Sequence, residues 1–154
     1  MKVMSENPAA PKSRSTGTGP RSAGIGVGRI LVSVYGILAL AAAGRSAFQI
    51  LTKFDTAPVA YLLSAVSAFV YIVATVALAK SATNGWVVAL ATISFELAGV
   101  LVVGVLSVID PALFPSDTVW SYFGRGYGFV PLVLPILGLV FLLRRRRTPK
   151  KDAS

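Results

Sequence analysis

The chain contains an apolar run from Trp86 to Val108 with a single acidic residue, Glu96, near its centre. A helix of ~20 apolar residues crosses the ~30 Å hydrocarbon core of a bilayer, so this acid is predicted to lie close to the membrane midplane. An ionised carboxylate at that depth costs at least ~2.5 kcal/mol on insertion scales. We therefore expect Glu96 to face protein or trapped water, or to carry a proton.

The composition indicates an integral membrane protein. Hydrophobic residues make up 55% of the 154 residues and the mean hydropathy is +0.72, which is far too apolar for a soluble domain of this size. The chain has no cysteine and no histidine. Their absence removes disulfides, thiol nucleophiles, imidazole metal ligands and the usual axial ligands of haem. We therefore expect no catalytic residue, no cofactor and no metal site.

Four apolar segments predict an all-α, membrane-spanning bundle of four transmembrane helices. The predicted spans cover about residues 25–43, 58–78, 86–108 and 129–143. Together they form a transmembrane domain over residues 24–143. The flanking segments, 1–23 and 144–154, are basic and polar and are predicted to be cytoplasmic tails, the first of them disordered.

The distribution of basic residues predicts the orientation of the bundle. With both termini in the cytoplasm, only Arg45, Lys53 and Arg125 lie outside, and the other twelve of the fifteen Lys and Arg residues lie inside. The positive-inside rule favours this arrangement. Because the basic clusters flank apolar spans, the net charge of +9 predicts anionic lipids as partners and no nucleic acid.

Polar side chains in three spans are predicted to share one depth. In an antiparallel arrangement Tyr35, Tyr71 and Glu96 each lie near the middle of a span. If their faces converge, a phenol can donate a hydrogen bond to the carboxylate and hold it inside the bundle. We therefore predict these three residues as structural or partner contacts, and the sequence leaves open whether Glu96 faces the bundle or a neighbouring subunit.

Two stretches outside the spans are predicted to lie at the membrane surface. Residues 45–54 place basic and apolar side chains on opposite sides, which indicates an amphipathic turn or short helix after the first span. The loop 110–128 is rich in aromatic rings, which favour the headgroup layer. In that loop Trp120, Tyr122 and Arg125 are the predicted docking surface.

Three classes of function were compared on these features. An enzyme needs at least two cooperating groups, and Glu96 has no second acid, cysteine or histidine at its level, so catalysis is not expected. A small oligomeric transporter or proton-conducting protein that uses Glu96 is the alternative, because intramembrane acids often mark ion routes. An accessory subunit requires only contact surfaces, which the chain has in abundance, and it is the favoured class.

The order of features resembles a group of known membrane proteins. A basic leader, the linking stretch RSAFQILTKFDTAPVAYLLSA, a span that begins with Trp and an RRRR tail are similar to small four-helix actinobacterial membrane proteins. Some of these are accessory, non-catalytic components associated with the joined cytochrome bcc and cytochrome oxidase respiratory supercomplex. The resemblance covers about residues 25–147. It implies a multi-pass plasma-membrane protein bound to other integral membrane subunits that carry the cofactors, and it assigns no ligand residue in this chain.

Overall fold

A computed structural model describes residues 20–81 and 85–146 of the chain, with side chains from Gly26 onward. The described part is all helical, as predicted, and it has no strand. The four α-helices are α1 Pro20–Lys53, α2 Pro58–Ala79, α3 Trp86–Ile109 and α4 Val130–Arg146. Short 3₁₀ helices cover Phe54–Thr56, Pro111–Leu113 and Ser121–Tyr127. The predictions for residues 1–19 and 147–154 lie outside the described residues.

Among the described residues, three helices are long and apolar enough to cross a membrane, and a bent pair is the candidate for a fourth span. The three are Gly26–Thr56, Pro58–Ala79 and Trp86–Ile109. The bent pair joins the 3₁₀ helix Ser121–Tyr127 to α4 at an angle of 99°. With 17 residues, α4 is ~26 Å long and ends in three arginines, so its apolar part is shorter than a bilayer core. The described part of the chain thus has three to four helical segments that can span a membrane, as expected for a membrane-spanning helical protein.

The first helix is longer than predicted. It continues from Pro20 to Lys53 and so includes the last residues of the predicted disordered tail and most of the predicted amphipathic segment 45–54. No proline interrupts it, and its 34 residues correspond to ~51 Å, so its ends project beyond the hydrocarbon core. Pro58 begins α2 at a position where the missing N–H is tolerated, and the non-helical backbone of Ala57 before it (φ −157°, ψ 65°) separates the two helices.

Small residues bring the helices close together. The α1–α2 pair buries Ala39 and Ala42 on one side and Ala68 and Ala74 on the other. Small side chains at an interface allow close backbone approach, which is the main source of helix association when lipid and core are equally apolar. On α3, Ile93 lies in the same core, fully buried between the other helices.

The two ends of the bundle carry different charged groups. At one end the Arg145 guanidinium donates to Ser81 Oγ at 3.0 Å, and the Trp86 indole N–H donates to the Leu142 carbonyl at 3.2 Å. At the opposite end the Arg45 guanidinium donates to the carbonyl of Asp117 at 2.9 Å. The bundle thus groups the described basic residues as the charge distribution predicts. Which end faces the cytoplasm stays a prediction.

Candidate functional site, a buried cluster around Glu96

Four buried side chains from four segments meet near the middle of the bundle. Tyr35 comes from α1, Tyr71 from α2, Glu96 from α3 and Trp120 from the loop before α4. None of them is more than 2% exposed. We call these four residues the Glu96 cluster.

The carboxylate of Glu96 is held by a phenol. The Tyr35 hydroxyl donates to Glu96 Oε2 at 2.7 Å, which is the optimal length for an O–H···O hydrogen bond. The predicted contact between a phenol and the acid is therefore present, and it joins α1 to α3. Glu96 is fully buried, so it faces the bundle and not the lipid.

The second tyrosine connects this pair to the loop. The ring centroids of Tyr35 and Tyr71 lie 6.2 Å apart, within the range of favourable aromatic pairs. The indole N–H of Trp120 donates to the Tyr71 hydroxyl at 3.0 Å. The contacts form one continuous series from Glu96 through both tyrosines to Trp120, so the cluster ties the loop to three helices.

Among the described residues, one atom of the cluster has no hydrogen-bond partner, and one hydroxyl has a partner only as an acceptor. Glu96 Oε1 is buried and accepts no hydrogen bond from them. The Tyr71 hydroxyl accepts a hydrogen bond from the Trp120 indole, and no described residue accepts the hydroxyl proton of Tyr71. Buried polar atoms without partners are rare in folded proteins and often mark a site for water or a proton. Glu96 Oε1 is thus the atom of the cluster with the greatest capacity for proton chemistry.

A local hydrogen-bonded turn sets the position of Trp120. The Thr118 amide donates to Ser121 Oγ and the Ser121 amide donates to Thr118 Oγ1, both at 2.9 Å. This reciprocal pattern resembles a capping box, in which two side chains satisfy each other's backbone groups. Val119, between them, is fully buried. The backbone N–H groups of Thr118, Trp120 and Ser121 are therefore all hydrogen-bonded where the turn enters the bundle.

Two glycines of α3 make room for the aromatic rings of the loop. A Cβ at Gly99 would lie 2.6 Å from Cζ3 of Trp120, and a Cβ at Gly104 would lie 2.5 Å from Cδ1 of Phe123. Any larger residue at either position would displace a ring. These two glycines shape the site but are not distinguished by the sequence, because α3 contains several other small residues, among them Ala91 and Ala98.

The loop turns back toward α4 through left-handed backbone. Tyr122, Phe123 and Gly124 have φ values of 49°, 61° and 80°. Bulky residues in this region are strained by ~1–3 kcal/mol each, and they persist only where the surrounding structure holds them. Gly124 also packs against the ring of Pro131, where a Cβ would come within 2.7 Å. The three consecutive left-handed residues kink the segment Ser121–Tyr127 itself, and Gly128 (φ 62°) and Phe129 (φ 60°) are left-handed at the bend between this segment and α4.

The structure separates the three residues of the predicted docking surface. The prediction that Trp120 lies on a docking surface is wrong, because the turn at residues 118–121 places its ring inside the bundle. Tyr122 is half-buried and Arg125 is exposed, and the Arg125 guanidinium lies 4.8 Å from the Tyr122 ring centroid in a cation–π contact. Arg45 lies at the same end, 6.0 Å from the ring of Tyr127. A docking role for Tyr122 and Arg125 stays a prediction.

Comparison of the chain with protein-family models, curated proteins and solved structures finds no match. The site is therefore interpreted from its own geometry. Within residues 20–81 and 85–146, no group of three or more His, Cys, Asp and Glu residues could hold a metal ion. The cluster contains one carboxylate, two phenols and an indole. Hydrogen bonds between these groups can stabilise the packing of the helices, and the carboxylate can bind a proton.

Proposed function

We propose that this chain is a non-catalytic accessory subunit that packs against integral membrane subunits of a larger plasma-membrane complex. On the resemblance in layout, the specific assembly proposed is a respiratory supercomplex of cytochrome bcc and cytochrome oxidase. The proposal includes four spans with both termini in the cytoplasm. In this arrangement α4 and the bent segment before it together form the fourth span.

The proposal is supported mainly by the position of Glu96, whose side chain is buried inside the bundle and contacts neither lipid nor solvent. Glu96 is fully buried and bonded to Tyr35, and the cluster connects it to the loop. An acid held this way stabilises tertiary structure, and it leaves the outer surface of the spans apolar. On α1, Ile37 and Leu40 are 66% and 78% exposed. Such surfaces contact lipid or neighbouring helices, and they support a packing role.

Co-purification from native membranes tests the partner. The tagged chain is extracted in a mild detergent, separated on a native gel and analysed by haem absorbance and protein identification. We expect stoichiometric cytochrome subunits in the same band. Arg125→Gln should weaken this association because it removes the exposed cation of the predicted docking surface, whereas Lys53→Gln, the same charge change at the same end, should not. Migration of the chain alone in every mild detergent would contradict the proposal.

Cysteine labelling tests the orientation separately. The natural chain has no cysteine, so single variants can be labelled without background. Asp55→Cys is expected to react with a membrane-impermeant maleimide in intact cells. Ser154→Cys is expected to react only after the membrane is opened. The reverse pattern would contradict the positive-inside prediction without affecting the proposed partner.

A second candidate function is proton conduction, and the unpartnered Glu96 Oε1 favours it. Purified chain in liposomes with a trapped pH dye would then dissipate a proton gradient, and Glu96→Gln would abolish the flux. The accessory role predicts no flux above that of empty liposomes. The two functions are therefore distinguished by one measurement.

A further inference from the structure

We propose that the end of the bundle carrying Lys80 and Arg145 binds one anionic diacyl phospholipid. The phosphate would lie at these two cations, and the two acyl chains would lie in the two grooves beside α2. This inference does not depend on the proposed partner complex. It concerns a lipid that belongs to the chain itself.

The first groove lies between α2 and α3. It has a volume of about 430 Å³ and is lined by Ile72, Val76 and Lys80 of α2 and by Val88 of α3. Its walls are apolar except at the end where Lys80 lies. Gly85 closes that end, because it approaches the α2 backbone so closely that a Cβ would lie 2.5 Å from the carbonyl oxygen of Ala77.

The second groove lies between α1 and α2. It has a volume of about 520 Å³ and is lined by Gly36 and Leu40 of α1 and Thr75 of α2. Ile72 and Val76 line this groove as well as the first. They form a ridge with one apolar groove on each side. We assign one acyl chain of a single lipid to each of these two open grooves.

The cations lie where a headgroup would be. The Arg145 guanidinium donates to Ser81 Oγ at 3.0 Å, and Ser81 follows Lys80 directly in the chain. Arg146 lies 4.6 Å from the ring centroid of Trp86, a residue type that favours the headgroup layer. Lys80 is eight residues beyond Ile72, so the cation is ~12 Å along the axis from the inner end of the groove. That length is close to one leaflet of a ~30 Å hydrocarbon core.

Charge complementarity selects an anionic lipid as the occupant. The described residues include four acids, and none lies at this end of the bundle. Glu96 is in the buried cluster, while Asp55, Asp110 and Asp117 lie at the opposite end. The described basic residues at the Lys80 end are Arg29, Lys80, Arg144, Arg145 and Arg146. An anionic headgroup brings net negative charge to this end, whereas a zwitterionic lipid or an apolar helix from another protein brings none.

Native mass spectrometry of the full chain tests the proposal. The protein is equilibrated in detergent with equal amounts of phosphatidylglycerol and phosphatidylcholine, and the lipid adducts are counted. We expect a preference for one phosphatidylglycerol. A basic residue near the membrane surface contributes about fivefold in anionic-lipid binding, so Lys80→Gln with Arg145→Gln should lower the preference about 25-fold. Lys53→Gln with Arg125→Gln, the same charge change at the opposite end, should leave it unchanged.

A second variant tests the grooves without changing charge. Val76→Trp would fill the space on both sides of the ridge, since Val76 lines both grooves and is half exposed. We expect loss of bound lipid of either headgroup, whereas Val105→Trp, at a comparably exposed position of α3, should retain it. Circular dichroism establishes that each variant is folded.

Several results would overturn the proposal. They are equal binding of both lipids by the natural chain, an equal effect of both charge pairs, or retention of lipid by folded Val76→Trp. A second copy of the chain in the grooves would instead appear as a dimer mass that Val76→Trp removes while lipid adducts persist.

Discussion

Replacing Tyr35 by phenylalanine removes one atom from the centre of the Glu96 cluster. The ring would stay in place beside Tyr71, where the centroids are 6.2 Å apart. Only the hydroxyl that donates to Glu96 Oε2 at 2.7 Å is lost. Glu96 Oε1 already has no partner among the described residues. In the variant, neither oxygen of this fully buried acid would accept a hydrogen bond from a described residue.

The expected loss of stability follows from two magnitudes. Hydrogen bonds between membrane helices contribute ~0.6 kcal/mol on average and up to ~1.7 kcal/mol. A buried polar group that is left unsatisfied costs about 1–3 kcal/mol, and more if it is charged. Since Glu96 has no exposure to solvent, the second magnitude applies, and Tyr35→Phe should lower the free energy of unfolding by about 1–3 kcal/mol. Glu96→Gln should cost less than ~1 kcal/mol, because the amide oxygen can still accept from Tyr35.

Equilibrium unfolding in mixed micelles with increasing sodium dodecyl sulfate measures these values. Trp120 reports on the cluster when Trp86 is replaced by phenylalanine, since the chain has two tryptophans. A double-mutant cycle with Tyr35→Phe and Glu96→Leu isolates the contact, and we expect a coupling of about 1 kcal/mol or more. Unchanged stability of Tyr35→Phe, or a coupling near zero, would refute the reasoning that this bond holds the acid inside the bundle.

Three further predictions concern the loop and its contact with α3. Unfolding of these variants is followed by far-ultraviolet circular dichroism in the same titration, because Trp120→Phe removes the tryptophan reporter, and Gly99→Ala is measured by hydrogen exchange. Gly124→Ala should cost ~1–3 kcal/mol, because φ is +80° there and the added Cβ would meet a proline ring; Gly126→Ala, with open space and no positive φ, should be neutral. Gly99→Ala should displace Trp120 and speed hydrogen exchange in the loop, whereas Gly44→Ala, with no neighbour within 4 Å, should leave exchange unchanged. Trp120→Phe should cost ~0.6–1.7 kcal/mol through loss of its indole hydrogen bond.

The depth of the cluster residues could be predicted, but not all of their contacts. The length of each apolar segment and a fixed rise per residue place Tyr35, Tyr71 and Glu96 at one level, and the structure brings them together there. The position of Trp120 could not be obtained this way. An aromatic ring in a loop rich in proline and aspartate is typical of the interface between membrane and water. The hydrogen-bonded turn at Thr118 instead places the Trp120 ring inside the bundle.

The continuity of the first helix shows a second limit. Polar residues at 45–54 predict a break or a separate amphipathic segment, but α1 continues to Lys53 because nothing in the stretch removes a backbone hydrogen bond. The strained turn at Tyr122 and Phe123 is the reverse case. Neither tyrosine nor phenylalanine favours left-handed backbone. The conformation persists because the Phe123 ring packs against Gly104 and the Pro131 ring packs against Gly124.

The sequence by itself determined the membrane class, the approximate position of each apolar helix, the common level of Tyr35, Tyr71 and Glu96, and the separation of charge between the two ends. These properties depend on hydropathy and on rise along one axis, and both are local. The tertiary structure alone decided that Tyr35 is the donor to Glu96 and that the loop enters the bundle. Those contacts depend on how each helix is rotated about its axis, and hydropathy does not specify this rotation when lipid and protein interior are equally apolar.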